Sequence, residues 1–273
     1  FVSPWFHEPV YALAWGVSTA GIIQLLFQLP FLAKMHMIPH PALAWRDEGV
    51  IKILKLMAPA IFGVSVSQIN LLLDTMIASF LPTGSISWLY YSDRLAELPL
   101  GVFGVAIATV MLPNLSRQHV AGNFEKFNAT LDWSIRLILL IAIPAAIALI
   151  ILAEPILVAL FYYGEVMTPR DMTMAALSLR AYSVGVVAFM LIKVLAPGYF
   201  ARQDIRTPVR IGIIALAVNM ALNIILATPL HFYLEIGHVG LALATSLAAI
   251  LNSVLLFRGL RKTDMYTPEP GWR

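Results

Sequence analysis

"SWLYYSDRLAELPLGVFGVAIATVMLP", residues 87–113, decides how this chain is to be read. The stretch is apolar over the length of a membrane-spanning helix, yet it carries Asp93, Arg94 and Glu97 near its start. An ionised side chain at the centre of a bilayer costs roughly 2.5–3.5 kcal/mol on insertion scales, so three within five residues require compensation. Either the segment does not span, or these charges face one another or something wet. Composition favours a span: 60% of the residues are hydrophobic and 12% charged, with no cysteine, and the mean hydropathy is +0.82. A soluble domain carries roughly twice that share of charge. The fold class predicted is therefore an all-α integral membrane protein.

Outward from residues 87–113, further apolar segments of about 20 residues or more fall near 10–33, 55–81, 133–161, 176–200, 208–230 and 237–258, which makes seven candidate spans. The connections are short and hold the breakers, as in "LPTGS" at 81–85, "HVAGN" at 119–123, "GEVMTPRD" at 164–171 and "RQDIRTP" at 202–208. Pro59, Pro99 and Pro144 lie inside spans and predict kinked or broken helices. The chain opens at Phe1 without a basic region ahead of an apolar core, so it reads as a fragment with no visible signal peptide.

The cations set an orientation. Lys34, Arg46, Lys52, Lys55, Arg117, Lys126, Arg136, Arg202, Arg206, Arg210, Arg258, Arg261, Lys262 and Arg273 fall on one set of alternate loops and helix ends, and the opposite set holds Arg170, with Arg180 just inside the next span. The positive-inside rule then places the first set in the cytoplasm, Phe1 outside and Arg273 inside. Cations dispersed in this way over a net charge of +3 act as topology signals and exclude a nucleic-acid footprint.

Two bases remain at membrane depth, Arg94 and Lys193. Lys193 admits two readings, snorkelling toward the cytoplasm or a functional charge. Arg94 sits about 9 Å beyond Trp88, a candidate outer interface anchor, and Glu97 about 14 Å beyond it. Asp93 and Glu97 share a helix face, and Arg94 and Glu97 are an i, i+3 pair. They can neutralise each other and hold the bundle together, or line a water-filled cavity in which the Arg94 guanidinium holds an anion such as phosphate.

A second polar set lies on other spans. Gly63, Ser67, Asn70 and Asp74 recur at spacings of 4, 3 and 4, one stripe of a helix; Asn219 and Asn223 are i, i+4, and Thr245 and Asn252 are i, i+7. Counted from the outer helix ends, Asp74, Asn219, Asn223 and Thr245 all fall roughly 9–15 Å deep, so they can meet. One carboxylate with amide and hydroxyl oxygens suits Na⁺, and Asp74 alone suits a proton; interhelical hydrogen bonding is the plainer use. No catalytic or nucleotide-binding motif is present. The six histidines (His7, His36, His40, His119, His231, His238) and the pairs Tyr90–Tyr91 and Tyr162–Tyr163 read as interface residues.

The segments "GVSVSQINLLLDTMIASFL" (63–81), "SWLYYSDRLAELPLGVFGVAIATVMLPNLS" (87–116), "AYSVGVVAFMLIKVLAPGYFARQDIRTPV" (181–209) and "TPEPGW" (267–272) resemble the MurJ (MviN) lipid II flippases over essentially the whole chain. The resemblance implies a polytopic bundle of the multidrug, oligosaccharidyl-lipid and polysaccharide exporter type in the bacterial inner membrane. Family members have fourteen spans, of which these seven would be the sixth to the twelfth. Residues 1–33 would then end the N-terminal lobe, 34–49 link the lobes in the cytoplasm, 50–262 form a six-helix C-terminal lobe, and 263–273 lead to the next helices.

The function implied is transport, not catalysis: lipid II moves from the inner to the outer leaflet by alternating access, its diphosphate and sugars in a cavity between lobes and its tail in lipid. "SDRLAE" matches the family motif whose arginine faces that cavity, which carries over to Arg94, with Asp93 and Glu97 beside it. Asp74, Asn219, Asn223 and Thr245 match positions of a cation site, with Asn223 where an acid can stand, so Asp74 alone would carry charge for Na⁺ or H⁺. The resemblance implies a monomer among membrane lipids, with no cofactor besides that ion. Export of another polyprenyl-linked glycan or of drugs is the nearer alternative, and a lipid-carrier transferase the farther one.

Overall fold

The structure, a computed structural model, describes residues 9–35, 47–163, 167–263 and 265–268, with some side chains of the first two helices excepted. Regular structure among them is entirely helical. The helices are α1 (Pro9–Lys34), α2 (Glu48–Ser79), α3 (Ser85–Pro99), α4 (Val105–Val120), α5 (Phe124–Ile151), α6 (Ala153–Phe161), α7 (Pro169–Phe200), α8 (Arg206–Leu222), α9 (Thr228–Leu234) and α10 (Gly237–Lys262). Six helices or composite rods of the described residues are long and apolar enough to cross a membrane. The seventh expected span is α2, at 32 residues. His7, His36, His40, Arg46, Arg273 and most of the expected linker lie outside the described residues.

The chain divides into two units, Phe1–Ile53 and Leu54–Arg273. In the first, α1 is apolar all round, with Trp15, Ile22, Leu25 and Phe27 exposed, as suits a helix surrounded by lipid or other spans. The second unit is built around α7, more than half of whose apolar stretch is buried and which packs against α3, α4, α5, α6 and α10. Small residues let α7 and α10 approach closely, the usual solution where lipid removes any hydrophobic drive between helices. A Cβ on Gly185 would lie 2.8 Å from Ser246 Cα, and Ser246 Oγ donates to the Ala181 carbonyl at 2.8 Å. Ser92 of α3 likewise donates to the Ala175 carbonyl of α7 at 2.7 Å.

Proline marks the departures from regularity. Pro99 ends α3, and a π turn over Leu100–Gly104, closed by Val105 N–H on the Leu100 carbonyl, joins it to α4 in one 36-residue rod. A second π turn, Asn223–Ala227, joins α8 to α9 just ahead of Pro229. Proline removes an N–H and its ring presses on the carbonyl four residues back; for Pro229 that carbonyl is that of Ile225, inside the second π turn, whereas the first π turn follows Pro99. By contrast α2 runs through Pro59 and α5 through Pro144 without a break. The expected span 133–161 is instead two helices, parted at Leu152, because Pro155 cannot donate to the Ile151 carbonyl. The helix also starts nine residues earlier than expected, at Phe124, where the Asn123 side chain accepts from Lys126 N–H. On α7 the expected loop "GEVMTPRD" ends in a capping box, Thr168 with Asp171, which begins the helix at Pro169.

Two aromatic assignments change. Trp88 is no lipid-facing anchor: it is 5% exposed, donates Nε1–H to Asp171 Oδ1 at 2.8 Å and packs 4.8 Å from the His238 ring. Gly84 makes room for it, with φ +103 and a missing Cβ that would fall 2.6 Å from the indole. His238 is fully buried rather than interfacial, its Nε2 3.3 Å from the Met174 carbonyl. Tyr91 packs on Phe161 at 4.7 Å, tying α3 to α6. Tyr90, Tyr162 and Tyr163 are exposed.

Candidate functional site

The helical register of α3 puts Ser92, Leu95, Ala96 and Pro99 against the bundle and turns Arg94 and Glu97 outward. Arg94 Nη1 and Glu97 Oε2 are 2.9 Å apart, with the two side chains about half exposed. The guanidinium also lies over the Tyr90 ring, 5.2 Å from its centroid, a cation–π contact that holds it along the helix. Asp93 is half-buried and makes no hydrogen bond or ion pair among the described residues. The structure thus brings the expected trio together on one side of α3. Its Arg94–Glu97 pair presents a free edge of the guanidinium outward.

The Asp74 set converges from three elements. Asn223 Nδ2 donates to Asp74 Oδ1 at 2.6 Å and to Asn219 Oδ1 at 3.1 Å. Asn70 Nδ2 donates to Asp74 Oδ2 at 3.1 Å. Thr245 Oγ1 donates to the same oxygen at 3.4 Å and accepts from Asn219 Nδ2 at 3.3 Å. Asn219 and Asn223 are fully buried, and Asn223 opens the second π turn, whose wider winding turns its amide inward. All four residues expected from depth therefore meet, and Asn70 joins them. Asn252 makes no hydrogen bond among the described residues and stands apart; the surroundings of Gly63 and the side chain of Ser67 lie outside the description.

Among the described residues, two buried acceptors in this cluster, Asn70 Oδ1 and Asn223 Oδ1, have no hydrogen-bond partner. Each such group costs about 1–3 kcal/mol. A carboxylate, two unsatisfied amide oxygens and a hydroxyl within one cluster fit a hard monovalent cation. No group of three or more His, Cys, Asp or Glu capable of holding a metal occurs among the described residues.

The two sites are electrical neighbours. Asp93 is within reach of the charges of Glu97, Arg94 and Asp74, and the buried Tyr182 of α7 is within reach of Asp93, Asp74 and Glu97. Sequence reading missed Tyr182 because it lies within the apolar run of α7; a phenol in mid-span was the available signal. It also missed the Thr168–Asp171–Trp88–His238 chain, whose members come from three helices and a loop. Beside Arg94 on α3 stand two carboxylates, Glu97, which pairs with it, and Asp93, which feels the charges of both.

Comparison with known proteins adds a family. The family described as "Lipid II flippase MurJ" matches residues 1–273. Probable lipid II flippases MurJ of Vibrio cholerae and Haemophilus influenzae are 56% and 54% identical to the chain over 97% of its length. The lipid II flippase MurJ of Burkholderia cenocepacia is 46% identical over the whole of it. The chain spans about half the length of these relatives, 49–52%. A solved structure of the lipid II flippase MurJ in an inward closed conformation superposes with a TM-score of 0.69 and 30% identity, over 88% of this chain and 49% of that one. A multidrug exporter of the MATE family in an outward-facing conformation superposes at 0.61 with 20% identity, over 78% of this chain and 45% of that one. That second likeness is one of fold.

Proposed function

The chain belongs to the lipid II flippase MurJ family, and from that premise we propose that it supplies a cavity wall of a transporter that carries lipid II across the bacterial inner membrane. The loops bearing Arg117, Lys126, Arg202, Arg206 and Arg210 lie in the cytoplasm, which puts the Leu81 and Gly237 ends of the bundle outside. One observation supports the reading most: an arginine about half exposed within an apolar stretch long enough to cross a membrane. Such a charge is stable only beside water or an anion, and a guanidinium fits the oxygens of a diphosphate. Glu97 occupies it while the cavity is empty and yields it when the diphosphate arrives.

The likeness to a drug exporter rests on fold and does not favour drug export. The test is rescue: cells depleted of their lipid II flippase are supplied with a full-length protein bearing residues 1–273. Continued peptidoglycan synthesis is expected. Lysis with normal membrane insertion would sink the proposal.

Coupling to an ion rests on the Asp74 cluster. With Na⁺ bound, the Asn223 amide turns its oxygen toward the ion and satisfies an acceptor that has no donor among the described residues. A ligand held only by the folded state stabilises it by RT ln(1 + [L]/Kd). The melting temperature of the full-length protein should therefore rise with Na⁺ at constant ionic strength, and Asp74→Asn should remove the rise. A response to pH alone would favour a proton, and identical curves for both proteins would leave Asp74 a hydrogen-bond acceptor only.

A further inference from the structure

Lys193 of α7 is a charge that the site above does not use. It is exposed and makes no ion pair or hydrogen bond among the described residues. The other two bases of this helix are accounted for, since Arg180 Nε donates to the Ile150 carbonyl at the end of α5 and Arg170 lies 3.9 Å from Glu235 near the start of α7. An unpaired cation in a span faces lipid and snorkels, or faces water and serves a function.

Helical register separates the two. Tyr182, Phe189, Lys193 and Phe200 follow at steps of 7, 4 and 7 and form one stripe, while Arg180 and Val184 lie on the opposite side of α7. The stripe is the one whose Tyr182 is in electrostatic reach of Asp93, Asp74 and Glu97. Lys193 also lies beside the rod that carries Arg94. A Cβ built on Gly104 would meet Lys193 Cγ at 3.7 Å and Cβ at 3.8 Å, and Gly104 is ten residues beyond Arg94, about 15 Å along the helix. Finally, the Cα–Cβ bond of a helical residue tilts toward the helix N-terminus, so Lys193 leans toward the level of Arg94 and away from Arg202 and Arg206. Snorkelling to those loops would run against that tilt.

We infer that Lys193 is a second anion-binding group on the polar face of Arg94, and that it holds the diphosphate of the substrate on the Arg202 side of that residue. This rests on the transport reading above.

The test is binding of a polyprenyl diphosphate to the purified full-length protein in detergent, at several salt concentrations, for wild type, Lys193→Gln, Lys193→Arg and Arg94→Ala. Loss of a charge-assisted contact predicts about tenfold weaker binding or more for Lys193→Gln, with a flatter salt dependence, an unchanged melting temperature and recovery in Lys193→Arg. Wild-type affinity and salt dependence in Lys193→Gln, with Arg94→Ala weakened, would overturn this inference alone. Equal loss of binding and melting temperature in both Lys193 variants would overturn it in favour of a structural role. No binding by wild type would overturn the transport reading itself.

Discussion

At the scale of single residues, the proposed transport gives Arg94 the heaviest task. Taking a diphosphate from the competing Glu97 carboxylate would need a fixed charge with forked donors. Arg94→Ala is expected to abolish rescue of flippase-depleted cells without lowering the amount of protein in the membrane, and Arg94→Lys to restore it partially at most. Normal growth with Arg94→Ala would assign the Arg94–Glu97 pair to holding the bundle. Both polar sets were legible in the sequence, because charged and amide side chains stand out against apolar spans and helix rise converts their spacing into depth. What spacing could not give is which helices adjoin: the nearness of Asp93 to Asp74 and that of Tyr182 to both depend on tertiary packing, whereas the Asn70–Asp74 contact is an i, i+4 pair that the stripe on α2 already contained. Trp88 was misplaced for the same reason, since its partners Asp171 and His238 come from distant parts of the chain.

At the scale of elements, the spans follow from hydropathy, but their interruptions do not follow from proline alone. Pro99 and Pro229 each adjoin a π turn, whereas α2 and α5 continue through Pro59 and Pro144. Whether a freed carbonyl is tolerated depends on its neighbours, which the local sequence does not contain. The approach of α7 to α10 is the element-scale feature most open to test. Gly185→Ala would place a methyl against the backbone of Ser246 and strain the hydrogen bond to Ala181. Overpacking of this kind costs about 1–3 kcal/mol, so the full-length protein should melt lower, while Gly101→Ala, with open space at its Cβ, should melt as wild type. Equal melting temperatures would show that the two helices can part without cost.

At the scale of the whole molecule, a sequence with 12% charged residues identifies its solvent, and the order of the spans follows from hydropathy, while their division into the ten helices of the described residues does not. The fastening of the segment after α10 was not legible. Tyr266 is buried and donates to Asp132 Oδ1 at 2.6 Å, Asp132 Oδ2 pairs with Arg136 Nε at 2.6 Å, and Asn128 exchanges two hydrogen bonds with the Thr267 backbone. These residues are more than a hundred positions apart, so no local pattern announces them. Burial, and then the bond to Asp132, push the Tyr266 phenol above the usual tyrosine range. A raised folded pKa means stability that is complete below the unfolded value near 10 and is lost as pH rises toward the folded one. Tyr266→Phe should therefore lower the melting temperature at neutral pH, and its difference from wild type should shrink at strongly alkaline pH; a constant difference would exclude the ionisable bond as its cause. The central claim is transport through the face that bears Arg94. Its most direct test is movement of headgroup-labelled lipid II between leaflets of vesicles containing the full-length protein, wild type or Arg94→Ala, in equal amounts. Transfer by wild type that is lost in the variant is predicted, and equal transfer by both, or none by wild type, would contradict it.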